Sequence, residues 1–221
     1  TVTANTLTLN SGIDDLAQGR SFTKAGAGTL RLLGVSTYLG NTVISAGTML
    51  LGASASVPAS TNFTISANGT FDVSAIASYT MSGTNLVTAT GSNTVAGAGA
   101  AIIKGGTSVD LGTHPIALTF RPTAFTGDTG HPSLIVSQGT LSLGGNVFTV
   151  NNASGIALGA GTYQIVQQVT GSITSSGIHT VTVTGSGLAP GGSAVIQVTG
   201  GDVNLVVTVV ASGATISTPT I

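Results

Sequence analysis

A short unit, glycine followed by threonine and a large apolar residue, recurs along the chain and restricts the folds open to it. The unit begins at Gly28, Gly47, Gly69 and Gly139, and the first three copies are nearly evenly spaced. Self-similarity at a period of about 20 residues is typical of solenoids, in which each repeat forms one coil. Because glycine readily adopts the dihedral angles of tight turns, we expect each unit to be a turn followed by a short strand.

Apolar residues alternate with threonine, serine or asparagine between these turns. The alternation is clear over residues 146–150, 180–184 and 203–210, and Gly200-Gly201 before the last of these predicts a β-hairpin. No window has apolar residues at helical spacing with capping residues, so we predict almost no helix. We expect aliphatic side chains on the inner face of each strand and small hydroxyl side chains on the outer face.

The repeat is regular only in the first half of the chain. From about Val109 onward prolines appear at Pro115, Pro122 and Pro132, and the regular period blurs. We therefore predict an all-β fold in two parts. Residues 1–108 form a right-handed β-solenoid, and residues 109–221 form either further β-coils or a β-sandwich.

Charged residues are scarce, and this excludes several classes of function. They make up 5% of the chain, with a net charge of -1 and no glutamate, so the chain lacks the basic patch that nucleic-acid binding needs. The absence of cysteine excludes disulfides and thiolate metal sites. No apolar run approaches the ~18 residues of a membrane helix, and we expect no membrane insertion. The sequence begins at Thr1 with no charged and apolar leader segment, from which we expect a processed, soluble product.

Two acidic positions could carry chemistry. Asp128-Thr129-Gly130 has the sequence of an aspartic protease loop, but that mechanism needs two carboxylates close together, and the same residues form ordinary turns. Asp72 and Lys104 are the one acid–base pair that polysaccharide cleavage could use, and their simpler interpretation is a solvated surface charge.

The three histidines and nine aromatic residues also have simple interpretations. His114, His131 and His179 lack the nucleophile motif of a hydrolase and the paired spacing of a metal site. The three tyrosines and six phenylalanines could form a carbohydrate-stacking strip, but we expect them to fill the core. We predict no catalytic, metal or cofactor site, and no enzyme activity.

Residues 22–34, continued by 36–43 and 46–52, resemble the autotransporter-associated β-strand repeat (passenger-associated repeat) of large exported bacterial surface proteins. The glycine spacing, the Thr37-Tyr38 pair and the second Gly-Thr unit all coincide with that repeat. Val35 and Leu39 stand where the repeat usually carries polar residues. The resemblance implies β-helical architecture and an extracellular or cell-surface location in bacteria, and it implies no chemistry.

The ends of the predicted solenoid lack the usual protection against edge pairing. Proteins blunt exposed strand edges with lysine, proline, bulges or caps, yet residues 129–201 contain no charged side chain and none follows Asp202. We therefore predict a structural protein that assembles with its own copies, through strand edges or an inserted terminal strand, into a filament or surface layer. Residues 1–10 and the tail 211–221 are the candidate donor strands. The predicted assembly residues are all apolar: Val2, Leu7, Leu9, Val206, Val207 and Val209.

Two other functions stay open from the sequence. An adhesin, a passenger fragment that binds carbohydrate or a cell surface, predicts an exposed aromatic strip and capped ends. A degenerate β-helix enzyme predicts carboxylates or histidines that converge in a groove.

Overall fold

The computed structural model describes residues 1–58, 62–82, 85–91 and 99–210. Within this part of the chain it contains 18 β-strands and no helix, so the predicted all-β class is confirmed. No described segment is a helix long and apolar enough to cross a bilayer.

The strands are short in the first half of the chain and longer in the second. The first nine are β1 (Thr6–Leu9), β2 (Phe22–Lys24), β3 (Thr29–Leu32), β4 (Thr42–Ile44), β5 (Gly47–Leu51), β6 (Asn62–Ile65), β7 (Gly69–Asp72), β8 (Ser78–Thr80) and β9 (Leu86–Thr90). The others are β10 (Ala101–Asp110), β11 (Ile116–Phe120), β12 (Leu134–Gly144), β13 (Val147–Asn152), β14 (Gly161–Gln168), β15 (Ile173–Ser176), β16 (Thr180–Gly185), β17 (Gly192–Thr199) and β18 (Asp202–Val209).

The chain winds between two sheets of mostly parallel strands. Sheet A has the order β1-β3-β5-β7-β10-β12-β14-β18-β17, with β8 beside β10 and β15 beside β12, and sheet B has the order β2-β4-β6-β9-β11-β13-β16. Each coil thus adds one strand to each sheet, as in a β-solenoid. The coils continue through β16, so the second half is built of further coils and not of a sandwich.

The coils lengthen along the chain, which explains why the period blurs. In sheet B, Phe22 pairs with Thr42 near the start of the chain, whereas Phe148 pairs with Val181 near its end, so a late coil takes up much more sequence than an early one. The added length includes β8 and β15, which lie beside the second halves of β10 and β12. The predicted boundary after residue 108 falls within β10, and the division into two parts stays a prediction.

Columns of apolar side chains, stacked from coil to coil, form the core. In sheet A, Leu30, Met49 and Phe71 lie in register, and each is at most 4% exposed. All nine aromatic side chains are buried or half-buried, which confirms their predicted place in the core. The exposed aromatic strip that an adhesin predicts is therefore not present.

The recurring glycines serve two different purposes. Gly47 has a φ of 66°, as predicted for a turn glycine, but Gly28 and Gly69 do not have a positive φ. The left-handed conformation is taken instead by Gly26 (79°), two residues before Gly28, and by Asn68 (64°), directly before Gly69. A Cβ added at Gly28 or Gly69 would lie 2.7 or 2.8 Å from a backbone oxygen of the preceding coil. The expectation of a turn dihedral at every unit is therefore wrong at these two positions, where close approach of the backbone requires glycine.

Candidate functional site at the ends of the solenoid

A β-hairpin closes the C-terminal end of sheet A. Strands β17 and β18 are antiparallel and joined by Gly200 and Gly201, whose φ angles are 62° and 85°. Two positive φ angles match the twist of a two-residue hairpin turn, so the predicted hairpin is confirmed. Because β18 is also antiparallel to β14, β17 runs in the same direction as the strands of the coils.

The outer edge of β17 is open. Among the described residues, no strand pairs with β17 on the side away from β18. Its inner face carries Ala194, Ile196 and Val198, which are half-buried, and its outer face carries Val195 and Gln197, which are exposed. This C-terminal edge (residues 192–199) is eight residues long. Because pairing with β18 uses the backbone groups of every second residue, the alternate residues present their N–H and C=O groups to the open side, beside a partly uncovered apolar row.

The three predicted assembly residues near the C-terminus lie in β18. Val207 is buried, and Val206 and Val209 are half-buried. Since β14 and β17 flank β18, these valines hold the edge strand in place and are not themselves on the edge. Their part in assembly stays a prediction, and the tail 211–221 lies outside the described residues.

The N-terminal end of the solenoid is also uncovered. Strand β1 pairs in parallel with β3 of the same chain and has no strand partner on its other side among the described residues. Leu7 is 48% exposed, whereas Val2 and Leu9 are half-buried against the core. A groove of about 130 Å³ lies between these side chains and Phe22. Donation of residues 1–10 to another molecule stays a prediction.

Lys24 is buried at this end, and the sequence analysis missed it. Its side chain starts an inward column that continues with Ile44 and Ile65, and it is only 2% exposed. The ammonium donates hydrogen bonds to the carbonyl oxygens of Ala25 (3.2 Å), Gly26 (2.6 Å) and Ala46 (2.9 Å), which joins two successive turns. Burial lowers the pKa of Lys24. A lysine inside an alternating strand gives no local signal of this role.

Asp72 and Lys104 form an ion pair between neighbouring coils. They lie opposite each other in β7 and β10, and the Lys104 Nζ is 3.3 Å from the Asp72 carboxylate. Asp72 is only 7% exposed, so its interpretation as a solvated surface charge is wrong. The carboxylate also accepts hydrogen bonds from the backbone N–H and the hydroxyl of Ser74. The Asp72 carboxylate therefore stabilises the turn that contains Ser74 and pairs with Lys104 of the next coil.

Asp128 ties down the loop before β12. Its carboxylate accepts hydrogen bonds from the backbone N–H groups of Thr123, Ala124 and Gly130 and from Nδ1 of His131, which is 2.9 Å away. Burial acts to raise the pKa of Asp128, but these hydrogen bonds outweigh it and lower the pKa to about 2. The interpretation of this loop as a turn is thus confirmed.

The Asp128→Asn variant tests this role through the pH dependence of stability. The folded pKa of about 2 is below the ordinary aspartate value of 3.8, so ionised Asp128 stabilises the fold above pH 4, and this stabilisation is lost as the pH falls toward 2. We expect urea unfolding to show that the wild type loses about 2 kcal/mol more than the variant between pH 5 and pH 2. Parallel pH profiles would contradict the assigned role.

The other two histidines are not assembled into a reactive or metal site. His114 is buried, with its ring nitrogens 2.9 and 3.2 Å from the carbonyl oxygens of Asn85 and Met81. His179 contacts the Ser175 hydroxyl through Nε2 at 2.6 Å. No group of three potential metal ligands occurs in the part of the chain that the structure describes.

A groove lined by small polar residues crosses three coils on the surface of sheet A. Its volume is about 480 Å³, and Asp110, Ser142 and Thr174 form a ladder along it. The Thr174 hydroxyl donates to that of Ser142 at 3.0 Å. Hydroxyl groups arranged in this way can exchange hydrogen bonds with a polar ligand.

The fold is a parallel β-solenoid whose first and last strands of sheet A, β1 and β17, have no partner on their outer sides among the residues that the structure describes. Residues 22–51, which span β2 through β5, match the family described as passenger-associated-transport-repeat. This match confirms the resemblance read from the sequence. No curated protein and no solved structure matches the chain.

The matched repeat is a structural repeat of passenger proteins and not an enzyme family, and it implies a secreted or cell-surface protein. Val35 and Leu39, the two departures from the repeat, are 61% and 55% exposed.

Proposed function

We propose that this chain is an extracellular structural protein of the bacterial surface that assembles with its own copies through strand edges. The observation that carries the proposal is the C-terminal edge, an eight-residue strand that pairs on one side only among the described residues and carries no charged side chain. Exposed strand edges pair with other chains unless charge, proline or a bulge prevents it. Assembly into a filament or surface layer would cover this edge.

The composition supports a structural role over a catalytic one. The carboxylates of Asp72 and Asp128 stabilise turns, through an ion pair and through hydrogen bonds respectively. Neither of these two carboxylates lines the groove on sheet A. The outer faces carry rows of threonine, such as Thr29, Thr48 and Thr70 in one column of sheet A. The threonine hydroxyls can hydrogen-bond to water, so they keep the outer surface of an exported solenoid hydrated without charged side chains.

The test is sedimentation velocity of the purified 221-residue chain over a range of concentrations, with negative-stain imaging of the same samples. We expect species larger than the monomer, increasing with concentration. In the Val195→Lys variant we expect a shift to monomer, because lysine on an edge strand opposes pairing. Val195 is 53% exposed on the outer face, so this variant should fold.

The matched control is Leu39→Lys, which adds the same charge at a site of similar exposure (55%) between β3 and β4, several strands of sheet A away from the C-terminal edge. We expect this variant to assemble like the wild type. A wild-type chain that stays monomeric at every concentration would refute the proposed function.

A second candidate function is a passenger fragment that binds carbohydrate or a cell surface. The passenger-associated repeat and the hydroxyl-lined groove on sheet A favour it, whereas the buried aromatic residues do not. Binding of the monomeric Val195→Lys variant to immobilised polysaccharides, lost on Ser142→Leu substitution, would favour this candidate over assembly.

A further inference from the structure

We infer that two copies of the chain form a two-fold dimer in which the β17 edges pair with each other as antiparallel strands. The inference rests on the proposed function and names the contact at which assembly begins. It depends on the length of the edge, its lack of charge and the apolar row beneath it.

The C-terminal edge is the longest free edge that the described residues offer. Strand β17 has eight residues, whereas β1 has four, β2 three and β16 six. When β17 pairs with its own copy, the full length of β17 in both molecules can take part in the ladder. A head-to-tail contact of β17 with β1 is limited to the length of the shorter strand, β1. Since backbone hydrogen bonds supply the affinity of strand addition, the longer ladder is favoured.

The charge distribution favours contact between like ends. A two-fold interface places the same patch of each copy against itself, so a charge close to the axis faces its own copy. Strands β16 and β17 contain no charged residue. Strand β1 is also uncharged, but the loop that follows it carries Asp14, Asp15 and Arg20, so contact between two N-terminal ends brings charged side chains close to the interface.

The inner face of β17 is complementary to itself under such an axis. Residues directly opposite in an antiparallel pair point to the same face. A two-fold axis at Ile196 places this side chain opposite its copy and Ala194 opposite Val198, so the half-buried apolar row continues across the contact. With the axis at Ile196, Val195 on the outer face lies opposite Gln197 of the other copy. If the axis lies at Val195 instead, Val195 lies opposite its own copy.

Disulfide trapping can test the dimer directly because the chain has no cysteine. The variants are Val195→Cys, Gln197→Cys and, as a matched control on the exposed outer face of the N-terminal edge, Thr8→Cys. Opposite residues in antiparallel strands have Cβ atoms about 4.5–5.5 Å apart, within reach of a disulfide after small adjustment. Each full-length variant is oxidised mildly, alone and in mixtures, and analysed by non-reducing gel.

Two-fold pairing predicts a doubling of mass from 21.4 kDa either for Val195→Cys alone or for its mixture with Gln197→Cys. Thr8→Cys alone should stay monomeric on the gel. Cross-linking only between Thr8→Cys and Val195→Cys would overturn the two-fold contact in favour of head-to-tail pairing, and the proposed assembly would stand. The two-fold contact would also be overturned if Val195→Cys formed cross-linked dimers only after residues 211–221 were removed. That result would mean that the tail covers the β17 edge in the full-length chain. Failure of the assembly proposal itself is recognised separately, by a monomeric wild type in sedimentation.

Discussion

Replacing Phe71 by alanine is expected to lower the free energy of unfolding by about 4 kcal/mol. The Phe71 side chain is fully buried, and its ring centroid lies 4.6 Å from that of Phe63 and 5.4 Å from that of Tyr79. Truncation removes apolar contacts in the middle of the solenoid and leaves a cavity that neighbouring coils, held by their backbone ladders, cannot fill. The melting temperature followed by circular dichroism should fall by about 10 °C.

The control for Phe71 is Leu39→Ala, because Leu39 is 55% exposed. Its truncation should change the free energy of unfolding by less than about 0.5 kcal/mol. Both variants are measured at concentrations below the onset of assembly, so that oligomer formation does not contribute. A Phe71→Ala cost no larger than that of the control would show that the aromatic stack does not support the core.

Replacing Gly47 by alanine is expected to cost about 3 kcal/mol. The residue has a φ of 66°, which costs an alanine about 1–2 kcal/mol. In addition, the new Cβ would overlap the carbonyl oxygens of Gly26 and Gly28 in the preceding coil. Relief of this overlap must separate two paired coils, so the expected cost exceeds the conformational cost alone. Urea unfolding measures it.

Gly155 supplies the matched control for Gly47. It has a φ of 87°, but a Cβ added there meets no atom within 4 Å. Gly155→Ala should therefore show only the conformational cost of about 1–2 kcal/mol. Equal costs at the two positions would mean that backbone proximity between coils does not explain the recurring glycine.

The sequence predicts the local features of this fold well because they depend on neighbouring residues. The turn at Gly47, the outward threonines and the Gly200-Gly201 hairpin are set by turn chemistry and by the alternation of side chains along a strand. The core position of the aromatic residues follows from their size and the absence of charged partners. These features could be predicted without knowledge of the pairing between coils.

Features that depend on register could not be predicted in the same way. Lys24 is buried because it stands in register with Ile44, and its carbonyl partners come from turns of two successive coils. The insertion of β18 between β14 and β17 reverses a strand within a parallel sheet, and no local pattern reports it. That insertion determines which strand has the free edge: the valines of β18 were predicted to mediate assembly, whereas the open backbone belongs to β17.

Hydrogen exchange at residues 192–199 tests most directly whether this strand is where molecules meet. Backbone amides that pair across an interface exchange slowly, and amides on an open edge exchange rapidly. In the assembled wild type we expect this segment to be protected, and in Val195→Lys we expect the protection to be lost while β13 in the interior stays unchanged. Identical exchange of residues 192–199 in the wild type and in the variant would contradict assembly through β17.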